Sequence, residues 1–285
     1  GTIGTPTALP SMPILFEKNI PHLFPLTAAR EMYEPLHRLK YSFAATYFDQ
    51  MRAATKHMVK AKGYKKVCTL YQDDDFGVEV MRGAEAGLKE IGLALAEKTT
   101  YKRGATDFSS QIARMKDAGC DFVVLGTIIR ETLGAIGTAR KLGWGVEFMG
   151  SSAAYTDLIH KLGGPAMNGF YATNTVNNPY MDDASRNVRE WASRYKQKYK
   201  EDPAVFSVYG YQVIDLFIQI ADKTGPKLST DSFVNTLENN FSTTRDMFGA
   251  DAMSFSRTKH LGSNRARLSQ IINGKWTPIT DYITE

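Results

Sequence analysis

The sequence predicts an α/β fold of two lobes, each built on a mostly parallel sheet, and three observations support this prediction. The chain has 285 residues, which suits two domains at roughly 100–200 residues each. Short apolar segments alternate with amphipathic segments through the middle of the chain. A glycine follows each of those amphipathic segments. This alternation is typical of βαβ units, which place parallel strands in one sheet and cover both faces with helices.

Short apolar segments predict the strands of the central region. They are residues 66–71, 94–101, 121–126, 147–150 and 170–172. Between them, apolar residues spaced three and four apart predict helices around 80–91, 108–115 and 133–139. Gly92, Gly119 and Gly143 follow these helices, as expected where a helix ends in a residue of positive φ.

The flanking regions are predicted in the same way. Helical spacing indicates one long helix over 45–62 and three later helices over 183–200, 205–224 and 230–240. Two β-like segments, 268–272 and 276–279, are separated by Asn273-Gly274. Because Asn-Gly is a strong two-residue turn signal, we expect a terminal hairpin there.

The distribution of charge and of apolar residues excludes two classes of protein, those that bind nucleic acids and those that span a membrane. The net charge is +5 with an isoelectric point near 9.0, but the basic residues are spread along the chain among acidic ones. A nucleic-acid-binding protein concentrates its basic residues on one face or in a tail, so we predict no nucleic-acid partner. No apolar segment approaches the ~18 residues that a membrane span requires.

The sequence also lacks the motifs of an enzyme. It has no phosphate-binding loop, no zinc-protease motif and no nucleophile elbow, and its five histidines have no metal-ligand spacing. Asp75-Phe76-Gly77 imitates a kinase tripeptide without the other kinase motifs. The acidic run 73–75 precedes a predicted helix, where capping is the favoured role. We predict no enzyme, no metal and no cofactor.

Two cysteines, Cys68 and Cys120, are too few for a disulfide framework. Each lies in an apolar strand-like segment. Core packing is therefore the favoured prediction for both side chains, and a single bridge between the two stays open.

Three predicted strands end in segments that should border one cleft, because ligands of open parallel sheets bind beyond the carboxyl ends of the strands. Those segments are 71–76, 126–130 and 150–155. The candidate ligand-binding residues there are Phe76, Ile128, Arg130, Ser152 and Tyr155. They supply aromatic, apolar and hydroxyl groups and one cation, with no acid–base pair. The mixture predicts binding without catalysis.

A family resemblance agrees with this prediction. Four parts of the sequence carry the resemblance, in the same order and with the same spacing as in the family. They are residues 1–7 with 20–28, 71–77, 108–122, and 206–211 with 273–276. They resemble substrate-binding proteins of ABC importers of the branched-chain amino acid type, which have the type I periplasmic binding fold. The resemblance runs through all 285 residues. It implies two Rossmann-like lobes that close on a ligand and present it to a membrane permease.

The resemblance also implies ligand contacts. Thr5, with Thr7 beside it, matches a hydroxyl position that holds the ligand carboxylate, and the segment Leu26-Thr27-Ala28 matches backbone and hydroxyl groups with the same role. A helix that follows this segment is expected to add a favourable dipole. The resemblance further places Phe76 and Ile128 on the walls of the cleft. Phe206 and Tyr209 are two more aromatic residues expected near the cleft. Packing in a helix core would explain these two aromatic residues equally well.

One departure from the family pattern bears on the ligand. Ser152 stands where amino-acid binders carry a glutamate that pairs with the α-ammonium. A buried ammonium without a partner is strongly unfavourable, whereas Arg130 attracts a carboxylate. The sequence therefore favours an amine-free acid, with an aromatic acid suited to the nearby rings. The alternatives are a branched-chain or other amino acid or an amide, a sensor domain of the same fold, and a sugar-repressor core.

The resemblance implies the following domain organisation. Residues 1–44 and 176–262 form the remnant of lobe 1, and residues 45–175 and 263–285 form lobe 2. Hinge crossings are expected near Phe43, near Thr175 and before the final strands. Because family members begin further upstream, we expect the N-terminal part of lobe 1 to be absent from this sequence. The implied protein is an extracytoplasmic monomer that binds a small molecule and an ABC permease.

Overall fold

The computed structural model describes residues 1–283. In chain order, its helices are α1 (Thr5–Glu17), α2 (Tyr47–Lys62), α3 (Asp75–Lys89), α4 (Ser109–Asp117), α5 (Ile129–Lys141), α6 (Asp157–Gly163), α7 (Arg186–Tyr199), α8 (Val205–Thr224) and α9 (Thr230–Asn240). Its strands are β1 (His22–Leu23), β2 (Lys40–Tyr41), β3 (Val67–Gln72), β4 (Glu97–Tyr101), β5 (Phe122–Gly126), β6 (Glu147–Gly150), β7 (Tyr171–Asn174), β8 (Arg267–Ile272) and β9 (Lys275–Pro278).

The chain divides into two compact units. Unit 1 comprises Gly1–Ala45 and Thr175–Asn264, and unit 2 comprises Thr46–Asn174 and Arg265–Glu285. The chain therefore passes from one unit to the other three times. That these units act as the lobes of a closing protein, with a hinge at the three crossings, stays a prediction.

Unit 2 contains a seven-stranded sheet in the order β4-β3-β5-β6-β7-β8-β9. The strands from β3 to β7 are parallel, and β8 and β9 add an antiparallel edge. Since β3 lies between β4 and β5, the connections leaving β3 and β5 run in opposite directions along the sheet. The carboxyl ends of β3 and β5 therefore flank a topological switch point, where ligands of such sheets bind. The predicted α/β class with a mostly parallel sheet is confirmed.

Burial explains why the central strands were easy to recognise. Every residue of β5 is buried, as expected for a parallel strand that is covered on both faces. On one face of the sheet, α3 packs closely on α2 because Gly83 and Gly87 carry no side chain. A Cβ atom at these two positions would lie 2.5 Å from the Phe48 carbonyl oxygen and 2.2 Å from that of Arg52.

The predicted chain reversals are also confirmed. Gly92, Gly119 and Gly143 have φ of +74°, +73° and +64° and follow α3, α4 and α5. The hairpin between β8 and β9 turns at Asn273 and Gly274, with φ of 51° and 73°. Positive φ at both residues is the requirement of a type I′ turn.

Unit 1 contains a helix that the sequence pattern did not predict. Helix α1 includes Pro10 and Pro13 in its interior, and an internal proline removes a backbone donor and disfavours the helix. The helix persists because Ala8 and Met12 are buried in a small apolar cluster with Ala29 and Met32. The short helix α6 of unit 2 was missed as well. The described strands of unit 1 are the two-residue parallel pair β1 and β2.

The two cysteines form a disulfide, Cys68–Cys120, with 5.9 Å between their Cα atoms. The predicted core packing of both side chains is confirmed, and the single bridge that stayed open is present. Cys68 lies in β3 and Cys120 lies two residues before β5. The parallel register pairs Cys68 with Val123, three residues beyond Cys120, so the bond joins β3 to the segment just before β5. Both half-cystines are buried.

A buried histidine of unit 1 predicts that the stability of the folded protein depends on pH. His22 in β1 is 4% exposed, and its Nδ1 has no hydrogen-bond partner in the described residues. Burial, together with the nearby charge of Lys40, lowers its pKa to about 4. The unfolded chain therefore binds this proton more readily. The stability that His22 contributes as a neutral ring is complete above about pH 6.5 and is lost as the pH falls towards 4.

We expect this loss to appear as a difference between two proteins. From pH 7 to pH 4, the native protein should lose up to about 3 kcal/mol more unfolding free energy than a His22→Asn variant. Urea unfolding of both proteins across this range measures it. A difference between the proteins that does not change with pH contradicts the prediction.

Candidate functional site

The start of α3 presents Phe76 at the carboxyl end of β3. The Asp74 side chain caps this helix by accepting a hydrogen bond from the Gly77 N–H at 3.1 Å, so the predicted capping role of the acidic run is confirmed. The Phe76 ring is nearly buried and meets the Tyr47 ring edge-on at 4.9 Å between centroids. Phe76 thus packs beside the switch point.

The start of α5 is suited to an anion. Ile128 occupies the N-cap position and provides no side-chain hydrogen bond, so the first N–H groups of the helix lack a capping partner of this kind. Arg130 follows in the first turn with its side chain 66% exposed, and its guanidinium forms an ion pair with the buried Glu131 at 3.4 Å. The helix dipole and the guanidinium both favour negative charge at this end of β5.

The end of β6 provides neutral groups. Ser152 begins a short 3₁₀ turn, Ser152–Ala154, and its backbone N–H donates to Gln50 Oε1 at 3.0 Å. The same Gln50 oxygen accepts a hydrogen bond from the Thr173 hydroxyl at 2.7 Å. Gln50 therefore ties the ends of β6 and β7 to α2. Sequence reasoning did not select Gln50, although a buried amide on the apolar face of a predicted helix is a usable signal.

Tyr155 lies deeper than the other candidates of unit 2. Its side chain is 1% exposed, and its ring packs 4.9 Å from the ring of Trp276 in β9. In this structure the ring contributes to the core of unit 2. Its predicted contact with a ligand stays a prediction.

In unit 1, the structure brings two predicted hydroxyl groups together. Thr5 Oγ1 and Thr27 Oγ1 lie 2.8 Å apart, and both residues are buried. Backbone hydrogen bonds on either side of this pair, from Gly4 N–H to the Leu26 carbonyl and from Leu26 N–H to the Thr2 carbonyl, hold the two segments side by side. Helix α1 begins at Thr5 without a side-chain cap.

The prediction of a helix after the Leu26-Thr27-Ala28 segment was wrong. The chain forms only a three-residue 3₁₀ turn there, Arg30–Met32. Pro35 follows closely, and the α conformation is disfavoured for the residue that precedes a proline. The helix dipole at this place comes from α1 instead. Ala28 itself is half-buried.

The remaining candidates of unit 1 differ in exposure. The Thr7 hydroxyl donates within its own helix start, to the Gly4 carbonyl at 2.8 Å and also to the Ile3 carbonyl. Tyr209 is buried beside Phe43, whereas Phe206 is 40% exposed. Tyr209 thus packs in the interior of unit 1, and the predicted ligand contacts of Tyr209 and Phe206 stay predictions.

Among residues 1–283, no three His, Cys, Asp or Glu side chains are grouped so that they could hold a metal ion. In the same residues, no helix combines the length and the apolar character of a membrane span.

Comparison with known proteins identifies the family. The family model described as periplasmic binding protein matches residues 1–275. The chain belongs to this family. The Leu/Ile/Val/Thr-binding protein of Salmonella typhimurium is 22% identical over 177 residues, which are 62% of this chain and 48% of that protein. The chain thus spans about half the length of the curated relatives that it matches.

Solved structures of similar proteins share the fold. A possible leucine/isoleucine/valine-binding protein from Rhodopirellula baltica has a TM-score of 0.86 at 21% identity, covering 98% of this chain and 76% of that one. A fatty acid ABC transporter substrate-binding protein from Thermomonospora curvata has a TM-score of 0.83 at 18% identity, covering 99% and 74%. The named relatives are binding proteins and not enzymes, in agreement with the sequence prediction.

Proposed function

We propose that this member of the periplasmic binding protein family is the solute-binding component of an ABC importer and captures a small carboxylate. The observation that carries the proposal is the Thr5–Thr27 hydroxyl pair, 2.8 Å apart, at the uncapped start of α1. Hydroxyl donors beside a helix N-terminus stabilise a carboxylate. Membership of the family supports a membrane permease as the partner and an extracytoplasmic location. The buried disulfide, which is typical of an oxidising compartment, supports this location as well.

The finer proposal is an amine-free acid, with aromatic acids included. Its support lies at the strand ends of unit 2, where Arg130 and the uncapped start of α5 favour an anion. Residues 150–154 contribute no carboxylate that could pair with an ammonium. The fatty acid binder from Thermomonospora curvata is a relative whose named ligand class has a carboxylate without an amine.

A branched-chain amino acid or amide is the second candidate. It is favoured by the names of the Salmonella typhimurium relative and of the Rhodopirellula baltica structure, which refer to leucine, isoleucine and valine. The two candidates differ in one chemical group, the α-ammonium, so one matched pair of ligands separates them.

Thermal unfolding with leucine and with 4-methylpentanoate, which is leucine without its amine, makes this comparison. At 100 times its Kd, a ligand stabilises the folded protein by about 2.7 kcal/mol, which is readily measured. We expect 4-methylpentanoate, benzoate or 3-phenylpropanoate to raise the melting temperature and leucine to leave it unchanged. If leucine alone raises the melting temperature, the second candidate is selected. If neither leucine nor any of the three amine-free acids raises it, carboxylate binding is contradicted.

Two variants test the residues of unit 2. Arg130→Gln should weaken acid binding about tenfold or more, because a hydrogen bond to a charged group contributes about 1.5–3 kcal/mol. Ser152→Glu should weaken the acids and strengthen leucine, because it places a carboxylate where amino-acid binders of the family carry one. Isothermal titration of both ligands gives each affinity. Unchanged acid binding by Arg130→Gln removes the role assigned to Arg130.

A further inference from the structure

A buried glutamine of unit 2 contacts the backbone of a predicted ligand-binding residue. Gln50 in α2 is 2% exposed, and its Oε1 atom accepts the Ser152 N–H at 3.0 Å and the Thr173 hydroxyl at 2.7 Å. Ser152 is a predicted ligand contact, whereas Gln50 and Thr173 are not. The proposed solute-binding function gives these two residues no role of their own.

The two hydrogen bonds begin where the pairing of β6 with β7 ends. The last pair of that ladder is Gly150 with Ala172, and the chain then enters the 3₁₀ turn that Ser152 begins. Beyond the last pair, the Gln50 oxygen joins the two segments by accepting a donor from each. Because a buried polar group that loses its partner is costly, both segments favour the positions in which Gln50 accepts both donors.

The same part of α2 also contacts Phe76, a second predicted ligand contact. Tyr47 precedes Gln50 by three positions and therefore lies on the same side of the helix. Its ring meets the Phe76 ring at 4.9 Å between centroids. Helix α3, which carries Phe76, packs closely on α2 through its two glycines. Helix α2 is thus a common support for Phe76 and Ser152, and a shift of Ser152 away from Gln50 is also a shift relative to Phe76.

We propose that Gln50 is a positioning residue for ligand binding, which sets the place of Ser152 relative to Phe76 before the ligand arrives. This role rests on the proposed solute-binding function. A segment that is already in place loses less conformational entropy when a ligand binds, and the affinity is higher for that reason. Loss of the Gln50 oxygen should therefore weaken binding as well as lower the stability of the fold.

A purely structural role for Gln50 would lower stability alone, and α2 provides a matched control for it. Thr55 lies on the same helix and is fully buried, but its hydroxyl has no hydrogen-bond partner among residues 1–283. Thr55→Val removes a buried polar group of α2 without removing a contact to residues 150–154. It should leave ligand binding unchanged.

Isothermal titration of the full chain measures the effect on affinity. The probe is whichever of leucine, 4-methylpentanoate, benzoate and 3-phenylpropanoate raises the melting temperature of the native protein most. Gln50→Met keeps the length of the side chain and removes the acceptor, and it should weaken binding of the probe about fivefold. Circular dichroism at the temperature of the titration confirms that the variant is folded.

Two substitutions of Thr173 separate the hydrogen bond from packing. Thr173→Val keeps the shape of the side chain and removes the hydroxyl, so it should weaken probe binding by about twofold or more. Thr173→Ser keeps the hydroxyl and loses a methyl group, and it should retain the native affinity. A role that depends on packing alone would give no such difference between the two variants.

Hydrogen exchange of the Ser152 N–H, followed by NMR without ligand, gives a second measurement. The amide should exchange at least about fivefold faster in Gln50→Met than in the native protein, because it has lost its acceptor. Thr55→Val should exchange at the native rate. This measurement does not depend on the identity of the ligand.

Three results would overturn the role of Gln50. They are native affinity in a Gln50→Met protein of lowered melting temperature, equal affinities of Thr173→Val and Thr173→Ser, and an unchanged exchange rate of the Ser152 N–H in Gln50→Met. If none of the four probes binds the native protein, the proposed solute-binding function is contradicted instead. The exchange rate then still decides whether Gln50 holds Ser152 in place.

Discussion

Replacing Cys68 and Cys120 together by alanine should lower the free energy of unfolding by about 4 kcal/mol. The disulfide closes a loop with a sequence separation of 52, and the loss of chain entropy in the unfolded state gives this magnitude for a loop of that length. The bond joins β3 to the segment that leads into β5, in the middle of the unit 2 sheet. Urea unfolding of the native and variant proteins measures the difference.

The reduced native protein provides the control for this experiment. Its midpoint in urea with excess dithiothreitol should agree with that of the double alanine variant in the same buffer, because both lack the same cross-link. The small cavities that alanine leaves at two buried positions should add little. A difference below 1 kcal/mol between the oxidised protein and the variant would show that the bond does not stabilise the fold.

Gly77→Ala should destabilise the protein by about 3 kcal/mol or more and should weaken ligand binding in proportion to the disturbance of Phe76. A Cβ atom at Gly77 would lie 2.0 Å from the Gln72 carbonyl oxygen and 2.6 Å from the Gln72 nitrogen. These are backbone atoms of β3, which is hydrogen-bonded on both sides to β4 and β5. The strand cannot yield, so α3 must move away from it, and overpacking of this kind is strongly unfavourable.

Gly137→Ala is the matched control for this substitution. Gly137 lies inside α5 of the same unit, and a Cβ atom there meets nothing within 4 Å. Alanine should therefore stabilise the helix by up to about 1 kcal/mol. Thermal unfolding of both variants tests the pair. Equal stability of Gly77→Ala and the native protein would contradict the close approach of α3 to β3.

Much of unit 2 could be predicted because its signals are local. The apolar segment that became β5 was recognised within one residue, since a strand buried on both faces is apolar throughout. The ends of α3, α4 and α5 were marked by Gly92, Gly119 and Gly143, since few other residues adopt a positive φ. The order of motifs along the chain indicated the family that the comparison then established.

The candidate site was only partly accessible to such reasoning. The resemblance selected Thr5 and Thr27, but their contact spans 22 positions and depends on the parallel pairing of the segments around Ile3 and Leu26. The contacts of Gln50 could not be predicted, because its two partners, Ser152 and Thr173, lie more than a hundred positions away. No periodicity encodes contacts at such separations.

The sequence by itself determined the class of fold, the spans of most helices and strands, the terminal hairpin and the absence of a carboxylate at residues 150–154. Each of these depends on residues within a few positions of one another. Tertiary structure decided that Cys68 and Cys120 are bonded, that α1 forms despite Pro10 and Pro13, and that Gln50 accepts hydrogen bonds from the ends of two strands. These features depend on which distant segments pack together, and burial of α1 outweighs the local preference of its prolines.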